Sequence, residues 1–262
     1  MSLRQIELSN LSLSYQDRGD GEVIVLLHGF CGSHAYWDEV MPVLSKKNRV
    51  IVPDLPGHGD STFPKGNYQL EYMADILKEL LDKLGIEKVT LFGHSLGGYI
   101  TLAFAEKYEE RLLGFSLIHS TAHADSEEAK DGRTASIEKV QKEGITEFVD
   151  GLIPKLFAEE NLETNAADVQ KTKEIGYGTS EEGAIGMLQA MKERPDRNHV
   201  LKNSRLPALL IAGEKDQVIP PEKTFSVRKD SISQALIKGA GHMSMMEKPE
   251  ALISEIQHFL KS

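Results

Sequence analysis

Lys88-Val89-Thr90-Leu91-Phe92-Gly93-His94-Ser95-Leu96-Gly97-Gly98-Tyr99 runs a buried-strand pattern straight into an apolar helical one. Residues 88–92 are a short, mainly apolar run, and residues 96–108 read as a mostly apolar helix. Between them lies Gly93-x-Ser95-x-Gly97. A strand-to-helix turn this tight needs glycine, because a Cβ two residues to either side of the serine would clash. Ser95 then projects at a helix N-terminus, where the helix dipole and free N–H groups favour developing negative charge. No Lys-Ser or Lys-Thr pair follows, so the turn is not a Walker phosphate loop.

The same alternation extends in both directions. Apolar runs at 23–27, 49–52, 114–118, 206–212 and 234–237 each end in a turn, and such continuous runs suit parallel strands covered on both faces. Residues 70–84 carry apolar side chains at Leu70, Met73, Ile76, Leu77, Leu80, Leu81 and Leu84, a 3.6-residue stripe closed by Gly85. Residues 249–260 repeat the stripe behind a first-turn Pro249. Residues 6–8 and 11–15 read as an antiparallel hairpin at the sheet edge. The predicted fold is α/β, a mostly parallel sheet with helices on both faces. From about His123 to Asn203 the alternation stops. Helical patterns at 145–157 and 180–194 suggest an inserted helical cap over the strand ends. The expected division is a core of 1–122 and 204–262 with a cap of 123–203.

Composition narrows the function classes. The chain has 262 residues, enough to bury a large core without a stabilising metal or disulfide. Its one cysteine, Cys31, rules out an intramolecular disulfide and suits a reducing compartment. Residues 1–8 lack the basic-then-apolar pattern of a signal peptide, and no run is long enough to span a membrane. A cytoplasmic protein with no membrane association is the expectation. The formal charge of −10 argues against nucleic acid as a partner. Residues 123–200 hold 17 Asp and Glu against 10 Lys and Arg, so most of the acidity falls in the cap. That excess is expected to be a solvated surface, and it makes an anionic substrate less attractive.

Ligands of an open parallel sheet bind beyond the carboxyl ends of its strands, so the residues following each run carry the chemistry. They are His28-Gly29-Phe30 after the first, Asp54 to Ser61 after the second, and Gly93 to Gly98 after the third. His119-Ser120 follows the fourth, Gly213 to Asp216 the fifth, and Gly239-Ala240-Gly241-His242 the sixth. A serine hydroxyl needs a base, and His242 fits the order serine, acid, histidine along the chain. Asp216 is the expected orienting acid, since the fourth strand is followed by His119-Ser120-Thr121 with no carboxylate before Asp125. Asp54, His28, His58 and His94 are assigned structural roles. The backbone N–H groups of Leu96 and Phe30 are the expected oxyanion donors. His119 and Met243 are candidate substrate contacts. No metal site is expected.

These residues, in this order and spacing, resemble the α/β-hydrolase family across roughly residues 6–260. The resemblance implies cofactor-free cleavage of an ester, lactone, thioester, amide or carbon–carbon bond of a small molecule. Serine at position 95 departs from the aspartate nucleophile of haloalkane dehalogenases and epoxide hydrolases. Phe30 stands where perhydrolases often carry tryptophan. Proline iminopeptidases usually carry a tryptophan-rich nucleophile turn, unlike His94 and Leu96. The leading expectation is a carboxylic-ester hydrolase acting through an acyl-enzyme. Carbon–carbon, lactone or peroxy-acid chemistry on the same triad is the second reading. A non-catalytic small-molecule receptor on a hydrolase scaffold is a third, from another class.

Overall fold

Val23-Ile24-Val25-Leu26-Leu27 has no polar position because nothing on either face of it meets water: residues 24–27 are all buried. This run is β3, Val23–Leu27, near the middle of an eight-stranded sheet. The computed structural model describes residues 3–64, 66 and 69–261; Met1 and Ser2 of the N-terminal reading lie outside them. The other strands are β1 (Arg4–Glu7), β2 (Ser12–Arg18), β4 (Arg49–Pro53), β5 (Val89–His94), β6 (Leu112–Ile118), β7 (Ala208–Gly213) and β8 (Ile232–Ile237). The spatial order is β1-β2-β4-β3-β5-β6-β7-β8. β1 and β2 form the antiparallel edge hairpin, β2 also meets β4 antiparallel, and every other pair is parallel. Pro207 delays the start of β7, since it has no N–H to give the ladder, yet its carbonyl accepts from Phe115 N at 3.2 Å.

Helices α1 (Met41–Leu44), α2 (Leu70–Lys83) and α3 (Leu96–Lys107) precede β6, and α8 (Pro221–Thr224), α9 (Ser244–Glu247) and α10 (Pro249–Phe259) follow β7. The stripe expected at 70–84 is the buried face of α2, and Gly85 ends it at φ 65°. Between β6 and β7 run α4 (Glu127–Leu152), α5 (Ala166–Tyr177), α6 (Glu181–Glu193) and α7 (Asn198–Asn203). Two of the helical stretches here escaped the periodicity. The first is residues 127–144, where only Val140 is buried, and the second is α5, which buries only Thr172 and Gly176. A helix with so narrow a buried stripe leaves almost no hydrophobic period to read. α4 also breaks at Gly144, φ 84° and ψ 173°, a conformation open essentially to glycine alone.

Candidate active site

The β5–α3 turn sets the geometry of the site. Ser95 has φ 50° and ψ −113°, outside the ordinary regions for a residue with a side chain. Its backbone is held from both sides. Ser95 N donates to Ile118 O at 2.9 Å, and its carbonyl accepts from Gly98 N and from Ser120 Oγ. The flanking glycines are needed for space. A Cβ on Gly93 would lie 2.3 Å from Gly97 O, and one on Gly97 would lie 2.7 Å from Leu27 O. Sheet and helix thus close on each other while the serine, half-buried, faces a cavity of about 470 Å³.

His242 lines the same cavity, on the loop between β8 and α9. Its Nδ1–H donates to Asp216 Oδ2 at 2.8 Å, and both side chains are almost fully buried. Asp216 Oδ1 accepts from Val218 N and Ile219 N, each at 2.9 Å. Burial opposes ionisation of Asp216, but the adjoining His242 overrides it and holds the carboxyl far below the usual carboxylate range. His94, also at the cavity, donates Nε2–H to His242 O at 2.9 Å. Burial, then the neighbouring His242 and His119, keep His94 neutral, its pKa well below the ordinary histidine value.

Phe30 follows β3 and lines the cavity, and Leu96 is the first residue of α3. Neither amide donates to an acceptor among the described residues. The β3 loop is fixed by His28. Leu55 N donates to His28 Nε2 at 2.8 Å, so the ring proton sits on Nδ1 and is donated to Gly29 O at 2.7 Å. Asp54 is likewise committed to local structure, accepting from His34 N, His34 Nδ1 and Asp60 N.

Two expected substrate contacts lie elsewhere. Neither His119 nor Met243 is among the described residues that line the cavity. Met243 is fully buried in the core. His119, also fully buried, stands behind Asp216. Gly213 N donates to its Nδ1 at 3.1 Å, which places the proton on Nε2 for donation to Ser244 Oγ at 2.6 Å. Its Nδ1 is 3.2 Å from Asp216 Oδ2, but with the lone pair already taken by Gly213 that approach is no hydrogen bond in the neutral ring. His119, Asp216 and His242 offer three ligand-type atoms within 4.8 Å of one another, the one such cluster found among the described residues. The Gly213 contact occupies the His119 lone pair that a metal would need.

The sequence reading missed Glu247. This buried carboxylate accepts from Gly241 N and Met243 N, the amides flanking His242, and from Ala158 N and Asn161 Nδ2 in the insertion. His242 N adds a bond of 2.7 Å to Leu156 O. The one available signal was an acid at the end of the apolar run Met243-Ser244-Met245-Met246. The charge of the cavity wall was also missed. Arg133, Arg194 and Lys223 line it against a single carboxylate, Asp125, among the described residues. The acidity of residues 123–200 therefore does not describe the cavity, and the expectation that it disfavours anions is corrected.

Comparison with known proteins agrees with this architecture. Residues 22–142 match the alpha/beta hydrolase fold family. A thermophilic esterase from Thermogutta terrifontis is 32% identical and superposes with a TM-score of 0.93, covering 100% of this chain and 98% of that one. The 3-oxoadipate enol-lactonase 1 of Acinetobacter baylyi is 27% identical over 96% of this chain and 94% of its own length. The dihydrolipoyllysine-residue acetyltransferase component of the acetoin cleaving system of Pseudomonas putida is 32% identical over 92% of this chain, which spans only 64% of that relative. The glycine-framed turn at Ser95, the sheet order and a full-length match at this identity have one reading in common: the chain belongs to the α/β-hydrolase family.

Proposed function

We propose that the protein is a serine hydrolase of small-molecule carboxylic esters, with Ser95 as nucleophile, His242 as general base and acid, and Asp216 as the orienting carboxylate. The observation that carries this is the pairing of His242 Nδ1 with the buried Asp216 at 2.8 Å, with Ser95 and His242 on one cavity. A proton on Nδ1 leaves Nε2 as the basic nitrogen, the tautomer that proton removal from a serine requires. Ser95 Oγ attacks the acyl carbon as His242 takes its proton. The Phe30 and Leu96 N–H groups donate to the oxyanion, and the alcohol leaves with the proton held by His242. Water then enters, His242 removes its proton, and the acyl-enzyme is hydrolysed. The helices of 123–203 act as a cap, since residues of α4 and α6 form part of the cavity wall.

Ser95→Ala is expected to lower kcat on p-nitrophenyl butyrate by a factor on the order of 10⁴ or more. A fluorophosphonate should label Ser95 in the wild type. Unchanged turnover in the variant would remove Ser95 as nucleophile. Lactone cleavage on the same groups is the second reading, favoured by the match to the enol-lactonase of Acinetobacter baylyi along nearly its whole length. A lactone panel run beside the ester series ranks the two. Tight ligand binding with no turnover by either would support a receptor instead.

A further inference from the structure

The cavity wall facing α4 is one connected polar network. Lys223 O accepts from Thr121 Oγ1 at 2.8 Å, and Thr121 Oγ1 accepts from His123 N. His123 O accepts from Arg194 Nε, and Arg194 pairs with Asp125 at 2.7 Å. Asp125 also pairs with Arg133 Nε at 3.2 Å. Within this network Arg194 is consumed by structure: it is buried, donates as well to Met191 O, and stacks 4.0 Å over the Tyr99 ring. Asp125 is consumed too, with both oxygens facing arginines. What remains is cationic. Arg133 uses only Nε, and its two terminal amino groups have no partner among the described residues. Lys223, an exposed residue, also lines the cavity, and its ammonium has no ion-pair partner among the described residues. The protein as a whole carries a formal charge of −10, so this wall runs against the sign of its surface. Apolar side chains, including Leu152, Leu156, Met191 and Ile219, line the same cavity.

We infer that Arg133 and Lys223 form a carboxylate-binding subsite, and that the preferred substrate is an ester or lactone bearing a second, ionised carboxylate on a short apolar chain. This rests on the reading of the site as an ester- or lactone-cleaving serine hydrolase. The guanidinium edge of the half-buried Arg133 presents two N–H donors to one planar carboxylate, and the more exposed Lys223 ammonium adds a third charge-assisted bond. The apolar lining receives the chain between this anion and the reacting carbonyl. An excess of cations in a concave site on an acidic molecule also concentrates anions where the bulk surface repels them.

The test compares monoethyl glutarate, an anion at neutral pH, with the neutral diethyl glutarate. The ratio of their kcat/KM values is independent of the fraction of enzyme that is folded. The wild type should favour the monoester by about tenfold or more, and Arg133→Gln/Lys223→Gln should bring the ratio down by about the same factor. A wild-type ratio below that level, or a ratio the double variant leaves unchanged, overturns the inference while turnover of the diester keeps the esterase reading intact. Should neither ester turn over, p-nitrophenyl butyrate and the lactone panel decide the hydrolase reading, and calorimetric titration with glutarate decides the subsite alone. Binding that weakens about tenfold in the double variant supports it, and absence of binding or an unchanged affinity overturns it.

Discussion

At the residue scale the site depends on small, specific placements. Gly97 admits no side chain because Leu27 O and His28 O would lie 2.7 and 2.8 Å from its Cβ, and both are backbone atoms that cannot step aside. Gly97→Ala should therefore cost about 1–3 kcal/mol, read as a lowered melting temperature. An unchanged melt would mean that the turn relaxes more easily than its packing implies. Glu247 offers a second case. Gln at 247 keeps the size but turns an amide NH₂ toward backbone donors that need an acceptor. Glu247→Gln is expected to lower stability by about 1–3 kcal/mol and to lower kcat more than it raises KM, because the loop it frees carries His242. Equal changes in kcat and KM, or none, would confine Glu247 to a packing role.

At the element scale the insertion does more than cover the site. Leu156, Ala158 and Asn161 bond to the His242 loop or to Glu247, so the insertion helps to hold His242, the proposed base. Phe148 on α4 packs edge-on against Phe30, ring centroids 6.0 Å apart, and links the insertion to the loop after β3. The direction of α4 is set at Gly144. A Cβ there would meet only Glu181 Oε1 at 3.4 Å, so space is available and the obstacle is the backbone conformation. Gly144→Ala should cost about 1–3 kcal/mol from that conformation alone. Limited proteolysis is expected to cut first within 127–152 in the variant, and an unchanged digestion pattern would show that the bend is not needed.

At the scale of the whole molecule, acid sensitivity follows from the buried histidines. Burial lowers His28 to about 4, against the partly opposing pull of Asp54, and lowers His58 to about 3. Burial also lowers His119 and His94. Each is neutral in the fold and charges readily when unfolded. The stability they contribute is present above the unfolded value near 6.5 and is lost as pH falls from there toward the folded values. For His28 the difference reaches about 3 kcal/mol when complete. His34 has the opposite sign. Burial works against its charge, but Asp54 raises its pKa, so its contribution is present at low pH and lost as pH rises through the folded value. Four depressed groups outweigh one raised group, and the melting temperature should fall steadily from pH 7 to pH 5 by circular dichroism. A flat or rising profile would contradict these assignments.

How much of this was legible in one dimension depends on how far apart the determinants lie. The strands β3 to β8, the hairpin edge, α2, α3 and α10 are written in local apolar runs and 3.6-residue stripes, since each side chain's burial repeats with the period of its own element. That Ser95 and His242 share a cavity and Asp216 pairs with His242 was legible as proximity, because strand ends converge on one edge of a parallel sheet, which turns chain order into neighbourhood. The first half of α4 and all of α5 were not, because they bury too few residues to leave a period. His119 stands at a strand end as expected, yet positive φ turns its ring behind Asp216 rather than toward the cavity. Met243 neighbours His242 in sequence but points into the core. The sign of the cavity wall was the least legible feature. The acids of residues 123–200 are mostly exposed and, Asp125 apart, lie off the cavity among the described residues, whereas Arg133, half-buried, and Lys223, exposed, ninety positions apart, both line it. The sequence by itself determined the sheet, the glycine-framed turn at Ser95 and the order of the chemical groups, because these follow from local patterns and connectivity. Only the tertiary structure decided which charges line the cavity, because a side chain's place at or away from a cavity is set by packing between segments distant in the chain.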